Sequence, residues 1–220
     1  DNFNYLSKMC LLRMREAAFR MIDMAKSCGC TVILSGADAS DHYTDYLERG
    51  ADYCLLGEGE ETLIELLDRL SAGREAEASS VPGVASQSTA NSTRRPGITN
   101  LDKLPFPAWD LVDVEKYRSI WMKRHGYFSM NMVTTRGCPY HCNWCAKPIW
   151  GQRYNSRSPE NVAAEMKWLK DTYTPDHIWF ADDILGLKPN WTEKFAELLR
   201  DANAVIPFKC LQRADLVNEK

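Results

Sequence analysis

Three cysteines lie within eight positions of the sequence, at Cys138, Cys142 and Cys145. Thiolates at such close spacing are typical ligands of zinc or of an iron–sulfur cluster. A closed structural zinc site needs four ligands, and no second cysteine or histidine pair follows at finger-like spacing; His141 is interpreted as an exposed loop side chain. A cubane cluster held by three thiolates leaves one iron free to bind a small chelating molecule. The ligand count therefore favours an iron–sulfur cluster over zinc.

The sequence around the cysteines predicts alternating strands and helices. Residues 130–135, 177–183 and 205–212 have the apolar character of strands, and a helical pattern lies in each interval between them. This order predicts parallel strands joined by right-handed crossovers, with the chemistry at the carboxyl ends of the strands. The cysteines follow the first strand, and Asp182 and Asp183 close the second. We therefore expect both groups on one rim.

The first 73 residues show a similar alternation. Residues 31–36 and 52–57 are predicted as buried strands, residues 60–73 as an amphipathic helix, and Asp41 as the cap of a short helix between the strands. This order is typical of an open parallel sheet. The chain begins with a long helix that no strand precedes, so we expect the first strands of this sheet to be missing. The buried face of that helix, which ends at Gly29, is predicted to consist of Leu6, Cys10, Met14, Ala17, Met21, Ala25 and Cys28.

Residues 74–129 separate the two patterns. The part up to residue 100 is small and polar, which predicts a linker with one short hairpin around residues 81–84. The part from residue 101 is denser in apolar residues and prolines, which predicts an ordered connector.

The composition limits the classes of protein to which the chain can belong. With 45% hydrophobic and 26% charged residues it is predicted to be soluble and globular, and its net charge of −3 argues against a nucleic-acid partner. No apolar run reaches the about 18 residues of a transmembrane helix, and no signal-peptide pattern opens the sequence, so a cytoplasmic protein is expected. The other cysteines are interpreted as small buried hydrophobes: Cys10, Cys28, Cys30, Cys54 and Cys210.

The motif Cys138-x3-Cys142-x2-Cys145, with an aromatic residue just before its last cysteine, resembles that of the radical S-adenosylmethionine (SAM) superfamily. The resemblance implies that the three cysteines hold a 4Fe-4S cluster whose free iron is chelated by SAM. It also implies that the segment "FADD" (180–183) contacts the methionine part of SAM. The residues that the resemblance assigns to SAM binding are Tyr140, Trp144, Asp182, Asp183 and Arg213; for Arg213 a surface salt bridge is an equal alternative.

The first half of the chain resembles the cobalamin-binding domain of a subgroup of this superfamily, on the segments "VILSGADAS" (32–40) and "GADYCLLGEGEETLIELL" (50–67). The resemblance places cobalamin near Ser35, Gly36, Gly57 and Glu58. The subgroup often has a Gly-Pro or Pro-His pair where this chain has Ala37-Asp38. The implied fold is α/β: residues 1–73 form the C-terminal part of an open parallel-sheet, Rossmann-like cobalamin-binding domain, residues 74–129 connect, and residues 130–220 form the first three βα units of a radical SAM partial barrel.

The resemblance implies a radical SAM enzyme that cleaves SAM to a 5′-deoxyadenosyl radical. With cobalamin present, methyl transfer to an unreactive carbon is expected first and ring rearrangement second. The expected partners are a small-molecule substrate and an electron donor such as flavodoxin or ferredoxin. The alternative is a non-catalytic zinc or iron–sulfur module, or an electron carrier. We also expect that a fragment lacking the later strands is inactive alone. Lys147, Arg153 and Arg157 are basic residues near the cysteines and are interpreted as plain surface.

Overall fold

The computed structural model of the chain describes residues 4–88, 93–143, 145 and 149–217, and its side chains from residue 13 onward. The chain divides into two compact units. Unit 1 consists of Asp1–Ile98 with Tyr140–Gln152, and unit 2 of Thr99–Pro139 with Arg153–Lys220. Each unit contains parallel strands and helices, which confirms the predicted α/β class. Among the described residues, no helix is both long and apolar enough to cross a membrane.

Unit 1 is built on a sheet with the strand order β1-β2-β3. β1 (Ile33–Ser35) pairs in parallel with β2 (Tyr53–Leu55), and β3 (Val84–Ala85) pairs with β2 in the antiparallel direction. The α-helices of this unit are α1 (Asn4–Ser27), α2 (Ala37–Asp41), α3 (Tyr43–Glu48) and α4 (Glu60–Ser71).

Side-chain alternation along β2 produces two apolar cores in unit 1. Cys54 belongs to a core shared with Ile22 of α1 and with Tyr46 and Leu47 of α3. The next residue, Leu55, belongs to the other core with Leu66 of α4. Because successive strand residues point to opposite faces of a sheet, helices cover both faces of this one.

The predicted buried face of α1 is mostly wrong over the part whose side chains are described, where only Ala25 of the predicted set packs against the core. Met14 and Met21 are 64% and 68% exposed, whereas Ile22 is buried and Ala18 and Phe19 pack against the core of unit 1. The helix has two apolar stripes, and spacing alone did not distinguish the packed stripe from the exposed one. The end of the helix was predicted correctly, since Gly29 follows it with φ 73°.

Two smaller predictions in unit 1 also fail. Asp41 is the last residue of α2 rather than a cap, and His42 precedes α3. Cys28 and Cys30 are exposed rather than buried, because they lie in the turn that follows α1; Cys54 is buried as predicted.

Unit 2 is built on the three parallel strands that the sequence predicts. β4 (Ser129–Met132), β7 (His177–Phe180) and β8 (Phe208–Lys209) form the sheet β4-β7-β8, and β5 (Thr135–Arg136) pairs with β6 (Asn155–Ser156) in an antiparallel hairpin. The α-helices of this unit are α5 (Val114–His125), α6 (Pro159–Tyr173) and α7 (Trp191–Asp201). Its core joins side chains from β4, β7, α6 and α7, among them Met132, Phe180, Met166 and Phe195.

The third parallel strand is shorter and more exposed than predicted. It pairs with β7 only through Phe208 and Lys209, and both side chains are exposed at the edge of the sheet. Pro207 explains the late start, because proline has no N–H to donate to a neighbouring strand. Its carbonyl oxygen still accepts a hydrogen bond from the N–H of Ile178 at 2.9 Å.

The region between residues 74 and 129 contains ordered structure throughout most of its described length. It includes β3, α5 and the 3-10 helices Glu75–Ser80, Leu101–Lys103 and Trp109–Leu111. Residues 93–98 hydrogen-bond within unit 1: the carbonyl oxygen of Thr93 accepts from the N–H of Gly83 at 2.9 Å, and Arg95 forms an ion pair with Glu65.

The residues that precede helices α6 and α7 differ in whether their side chains form a cap hydrogen bond. Ser158 caps α6, with Pro159 in the first turn, and its Oγ accepts the N–H of Asn161 at 3.1 Å. Asn190 precedes α7, but it has φ 61° and its side chain forms no cap hydrogen bond.

We predict that Ser158→Ala destabilises unit 2 by about 1 kcal/mol, because the first turn of α6 loses its side-chain acceptor. Thermal unfolding followed by circular dichroism measures the change. Ser119→Ala is the matched control: Ser119 is exposed inside α5 and bonds only locally to the carbonyl oxygen of Lys116, so alanine there should leave stability unchanged or raise it slightly. Equal losses in the two variants would contradict the capping role.

Candidate functional site

The chain leaves β4 toward the cysteines through two buried threonines. Thr134 and Thr135 follow the strand, β5 begins at Thr135, and Gly137 has φ 80° immediately before Cys138. A positive φ in this range favours glycine, so Gly137 allows the backbone to adopt this conformation directly before Cys138.

Asp182 holds this strand end in place. Its side chain is 1% exposed, and its carboxylate accepts the N–H of Thr134 at 2.7 Å, the Oγ1 hydroxyl of Thr134 at 2.7 Å and the N–H of Thr135 at 2.9 Å. Burial raises the pKa of Asp182, and the threonine donors oppose that shift. The family resemblance implied that Asp182 binds SAM. In the structure, the described hydrogen-bond donors to its carboxylate are Thr134 and Thr135, which lead into the cysteine segment.

The segment after β7 is fixed along its length by other residues of unit 2. Thr135 donates from Oγ1 to the carbonyl oxygen of Ile184 at 3.3 Å, and the N–H of Leu185 donates to the carbonyl oxygen of Leu211 at 3.1 Å. Gly186 has φ 70°, and a Cβ atom there would lie 2.5 Å from Cγ2 of Thr192. Asp183, half-buried, lies inside this fixed segment. Its backbone is therefore held on both sides.

The three cysteines predicted as metal ligands form no disulfide with any described residue. Cys138 is half-buried, and Cys142 and Cys145 are exposed. The N–H of Cys145 donates to the carbonyl oxygen of Cys142 at 3.1 Å, so these two residues share a turn. Within the described part of the chain, no three histidine, cysteine, aspartate or glutamate side chains are close enough to hold a metal ion. Three thiols at this spacing are the donor set that suits an iron–sulfur cluster.

The remaining residues predicted to bind SAM are in different situations. Tyr140 is half-buried, and Trp144 lies outside the described residues. The guanidinium of Arg213 donates from Nε and Nη2 to the two carboxylate oxygens of Asp215, each at 2.8 Å. A surface salt bridge was the alternative to SAM binding in the interpretation of Arg213 from the sequence, and the structure contains such a salt bridge.

Two further residues belong to the same end of the unit 2 sheet, and sequence reasoning missed both. Tyr154 accepts the N–H of Leu187 at its hydroxyl oxygen, at 3.1 Å. Burial raises the pKa of its phenol, and the charges of Asp182 and Cys138 raise it further. Cys210 directly follows β8; burial raises the pKa of its thiol, and the charge of Asp182 adds to the shift. The carboxyl-end rule identifies Cys210, but no sequence signal identifies Tyr154.

The residues predicted to meet cobalamin lie at the carboxyl ends of two neighbouring parallel strands. Ser35 ends β1 and Gly36 follows it, and Gly57 and Glu58 follow β2, in the register that pairs Ser35 with Leu55. The N–H of Gly57 donates to the buried Oγ of Ser40 at 3.0 Å. Glu58 accepts the N–H of Ile98. The carboxylate of Glu58 is thus joined to the chain segment that follows Arg95.

Among known families, the model of the Radical SAM superfamily matches residues 132–218 of the chain. The resemblance predicted from the cysteine motif is thereby confirmed for this part of the chain. The chain is 31% identical over 173 residues to the uncharacterized methyltransferase PH0819 of Pyrococcus horikoshii, a match that covers 77% of this chain and 36% of the relative. It is 27% identical over 189 residues to the anaerobic magnesium-protoporphyrin IX monomethyl ester cyclase of Synechocystis sp., covering 84% of this chain and 36% of the cyclase. The chain therefore spans about a third of the length of these relatives.

The fold is similar to two solved structures. One is the cobalamin-dependent SAM radical enzyme OxsB with aqua-cobalamin and SAM bound, with a TM-score of 0.75 and 22% identity over 93% of this chain and 30% of OxsB. The other is the radical SAM methyltransferase TsrM of Kitasatospora setae with cobalamin and a 4Fe-4S cluster bound, with a TM-score of 0.57 and 22% identity over 84% of this chain and 36% of TsrM. At this identity the likeness is one of fold.

We predict that Asp182→Ala lowers the free energy of unfolding of unit 2 by roughly 3 kcal/mol, because buried donors of Thr134 and Thr135 lose their acceptor. Asp182→Asn should cost clearly less. Its amide oxygen can accept both backbone N–H groups, and its NH₂ can donate to the Thr134 hydroxyl. Chemical denaturation of the two variants measures the difference. A similar loss in both would show that the charge of Asp182, rather than its hydrogen bonds, stabilises the strand end.

Proposed function

We propose, from the match of residues 132–218 to the Radical SAM superfamily, that this chain is part of an enzyme that binds a 4Fe-4S cluster and SAM. The single structural observation behind the proposal is where the cysteine motif begins. Cys138 follows the first strand of a parallel sheet, at the carboxyl end where Asp182 ties that strand to the next one, and Cys142 and Cys145 follow it in the chain. Sites in α/β folds are located at this end of the strands.

Cys138, Cys142 and Cys145 would hold the cluster. The residues fit it by chemistry: all three are free thiols, and Cys142 and Cys145 are accessible to an incoming metal. When bound, the cluster supplies the electron that splits a carbon–sulfur bond of SAM and gives a 5′-deoxyadenosyl radical. The chain contributes a fixed approach to Cys138, because Thr134 and Thr135 are bonded to Asp182.

For SAM itself we propose Asp183 rather than Asp182 as the partner of the methionine ammonium. Asp182 already accepts three hydrogen bonds in a buried setting, whereas Asp183 is half-buried in the next position of the same fixed segment. Tyr140 and Trp144 remain proposed contacts on the cysteine side. Arg213 would reach a ligand only by leaving Asp215.

We further propose cobalamin as a cofactor of unit 1. The support is the parallel pair β1–β2, whose carboxyl ends bring together Ser35, Gly36, Gly57 and Glu58. Residues 1–73 would then be the C-terminal part of a Rossmann-like cobalamin domain, residues 74–129 the connection, and residues 130–220 the first half of a radical SAM barrel. The reaction that we propose is methyl transfer to an unreactive carbon of a small-molecule substrate, with ring rearrangement second; the names of a methyltransferase and a cyclase among the relatives support these two reaction classes. A flavodoxin or ferredoxin would supply the electron.

We predict that replacing Cys138, Cys142 or Cys145 with alanine abolishes cluster binding or reduces it sharply, since a cubane left with two thiolates is poorly held. Iron and acid-labile sulfide are measured after anaerobic reconstitution. Cys28→Ala is the matched control, because Cys28 is also exposed and lies outside the motif. Full iron in Cys142→Ala would refute the ligand assignment. Zinc without sulfide in the parent protein would favour the non-catalytic metal module.

We predict that Asp183→Asn weakens SAM binding about ten- to a hundred-fold, because a hydrogen bond to a charged group contributes roughly 1.5–3 kcal/mol. The iron content should stay unchanged, since the carboxylate is not a metal ligand in this proposal. The full-length protein is supplied with dithionite and SAM under anaerobic conditions, and 5′-deoxyadenosine is quantified. Asp182→Asn is the neighbouring control. If Asp183→Asn behaves as the parent at limiting SAM, the assignment of Asp183 fails.

A further inference from the structure

Glu165, in the middle of α6, is a buried carboxylate that the proposed chemistry does not use. Its residue exposure is 0%, one of its oxygens accepts a hydrogen bond from Nη1 of Arg157, and its Oε1 has no hydrogen-bond partner among the described residues. Burial raises the pKa of Glu165, and the charge of Arg157 opposes that shift. Removing both charges from water costs several kcal/mol per ion, so stability alone does not account for a buried pair of this kind.

Arg157 connects Glu165 to the strand end that leads to the cysteines. From the sequence, Arg157 was interpreted as a surface residue. Its side chain is only 12% exposed, and Cζ of its guanidinium lies 5.5 Å from the centroid of the Phe106 ring. Nη1 donates to the carbonyl oxygen of Val133 at 2.9 Å, and Nε donates to Oδ1 of Asn161 at 2.6 Å. The guanidinium is therefore held between α6 and the residue that follows β4.

The backbone of Arg157 takes part in the same arrangement. Its N–H donates to the carbonyl oxygen of Thr134 at 2.9 Å, and its carbonyl oxygen accepts Nε1–H of Trp191 at 2.8 Å. Arg157 directly follows β6, and Thr134 directly precedes β5. Val133, Thr134 and Arg157 thus lie at the base of the β5–β6 hairpin, and all three cysteines of the motif lie in the chain between its two strands.

Thr134 is consequently fixed from two directions. Its N–H and its hydroxyl donate to Asp182 after β7, and its carbonyl oxygen accepts from Arg157, which Glu165 anchors to α6. The polar groups of one residue are bonded to two different elements of unit 2. The base of the β5–β6 hairpin is therefore held to the sheet of unit 2 from two sides.

We propose that the Arg157–Glu165 pair is a positioning element that sets the direction in which the cysteine-bearing chain leaves the sheet. The inference rests on the proposed cluster site and names residues that act on it without touching the metal. The planar guanidinium of Arg157 donates hydrogen bonds in fixed directions, so it can define the orientation of the chain that it contacts. An apolar pair of similar volume has no such directional contacts. The structure thus assigns to the pair a role in geometry rather than in stability.

The test compares four variants of the full-length protein after anaerobic reconstitution. Glu165→Gln keeps an acceptor for Arg157 without the charge, and Arg157→Lys keeps the charge without the fork. The double change Arg157→Met with Glu165→Met replaces the pair by apolar side chains. Glu160→Gln is the control, because Glu160 is exposed on the same helix. Three quantities are measured: the thermal unfolding curve, the rate of iron loss to a chelator, and the electron paramagnetic resonance spectrum of the reduced protein with SAM.

We expect Glu165→Gln and Arg157→Lys to lose iron about ten-fold faster than the parent, as second-sphere changes do at metal sites, and to show a shifted resonance spectrum. The Met–Met variant should unfold near the parental temperature and still show the altered spectrum, while Glu160→Gln matches the parent throughout. Parental iron retention and spectrum in both single variants would overturn the inference, as would their recovery in the Met–Met variant. A parent protein that takes up no cluster would refute the proposed function itself, and the inference with it.

Discussion

The arrangement of unit 2 around its candidate site depends on the burial of the Asp182 carboxylate. A buried carboxylate must be compensated by donors, and the nearest ones are the backbone and hydroxyl groups of Thr134 and Thr135, which come from a different strand of the sheet. The bonds therefore join the carboxyl ends of β4 and β7 more tightly than the ladder alone does. Because β4 leads to Cys138 and β7 to Asp183, one compensated charge holds together the two strand ends from which both predicted ligand segments start.

The sequence predicted the order and type of the elements well and their packing less well. The parallel strands and the stop at Gly29 follow from local chemistry, which short stretches of sequence contain. The packed face of α1 depends on which apolar stripe meets the rest of unit 1, and the stripe with the larger Phe19 and Ile22 packs there. Periodicity describes a helix surface, but it does not say what lies opposite.

The polar architecture of the site was the least predictable part, for a related reason. Asp182 bonds to threonines 47 and 48 residues away, and no sequence pattern connects them. Arg157 looked like a loop arginine because its partners are carbonyl oxygens and a glutamate two helical turns further on. The cysteine motif was recognisable because its ligands are close in sequence. Motifs identify the atoms that meet a cofactor, while the residues that orient those atoms are scattered along the chain.

The division between exposed ligands and a buried scaffold has a physical logic. Cys142 and Cys145 are exposed and lie in a turn, whereas Asp182, Thr134 and Glu165 are buried and bonded. In the proposed cluster site the thiols must be accessible to the metal, and a chain direction that is set beforehand favours binding, since ordering it on binding would weaken affinity. The buried residues hold the direction of the chain without bonding to the thiols of Cys142 and Cys145. In unit 2 the charges that are costly to bury, those of Asp182 and Glu165, are bonded to the residues at the base of the β5–β6 hairpin, from which the chain continues to the cysteines.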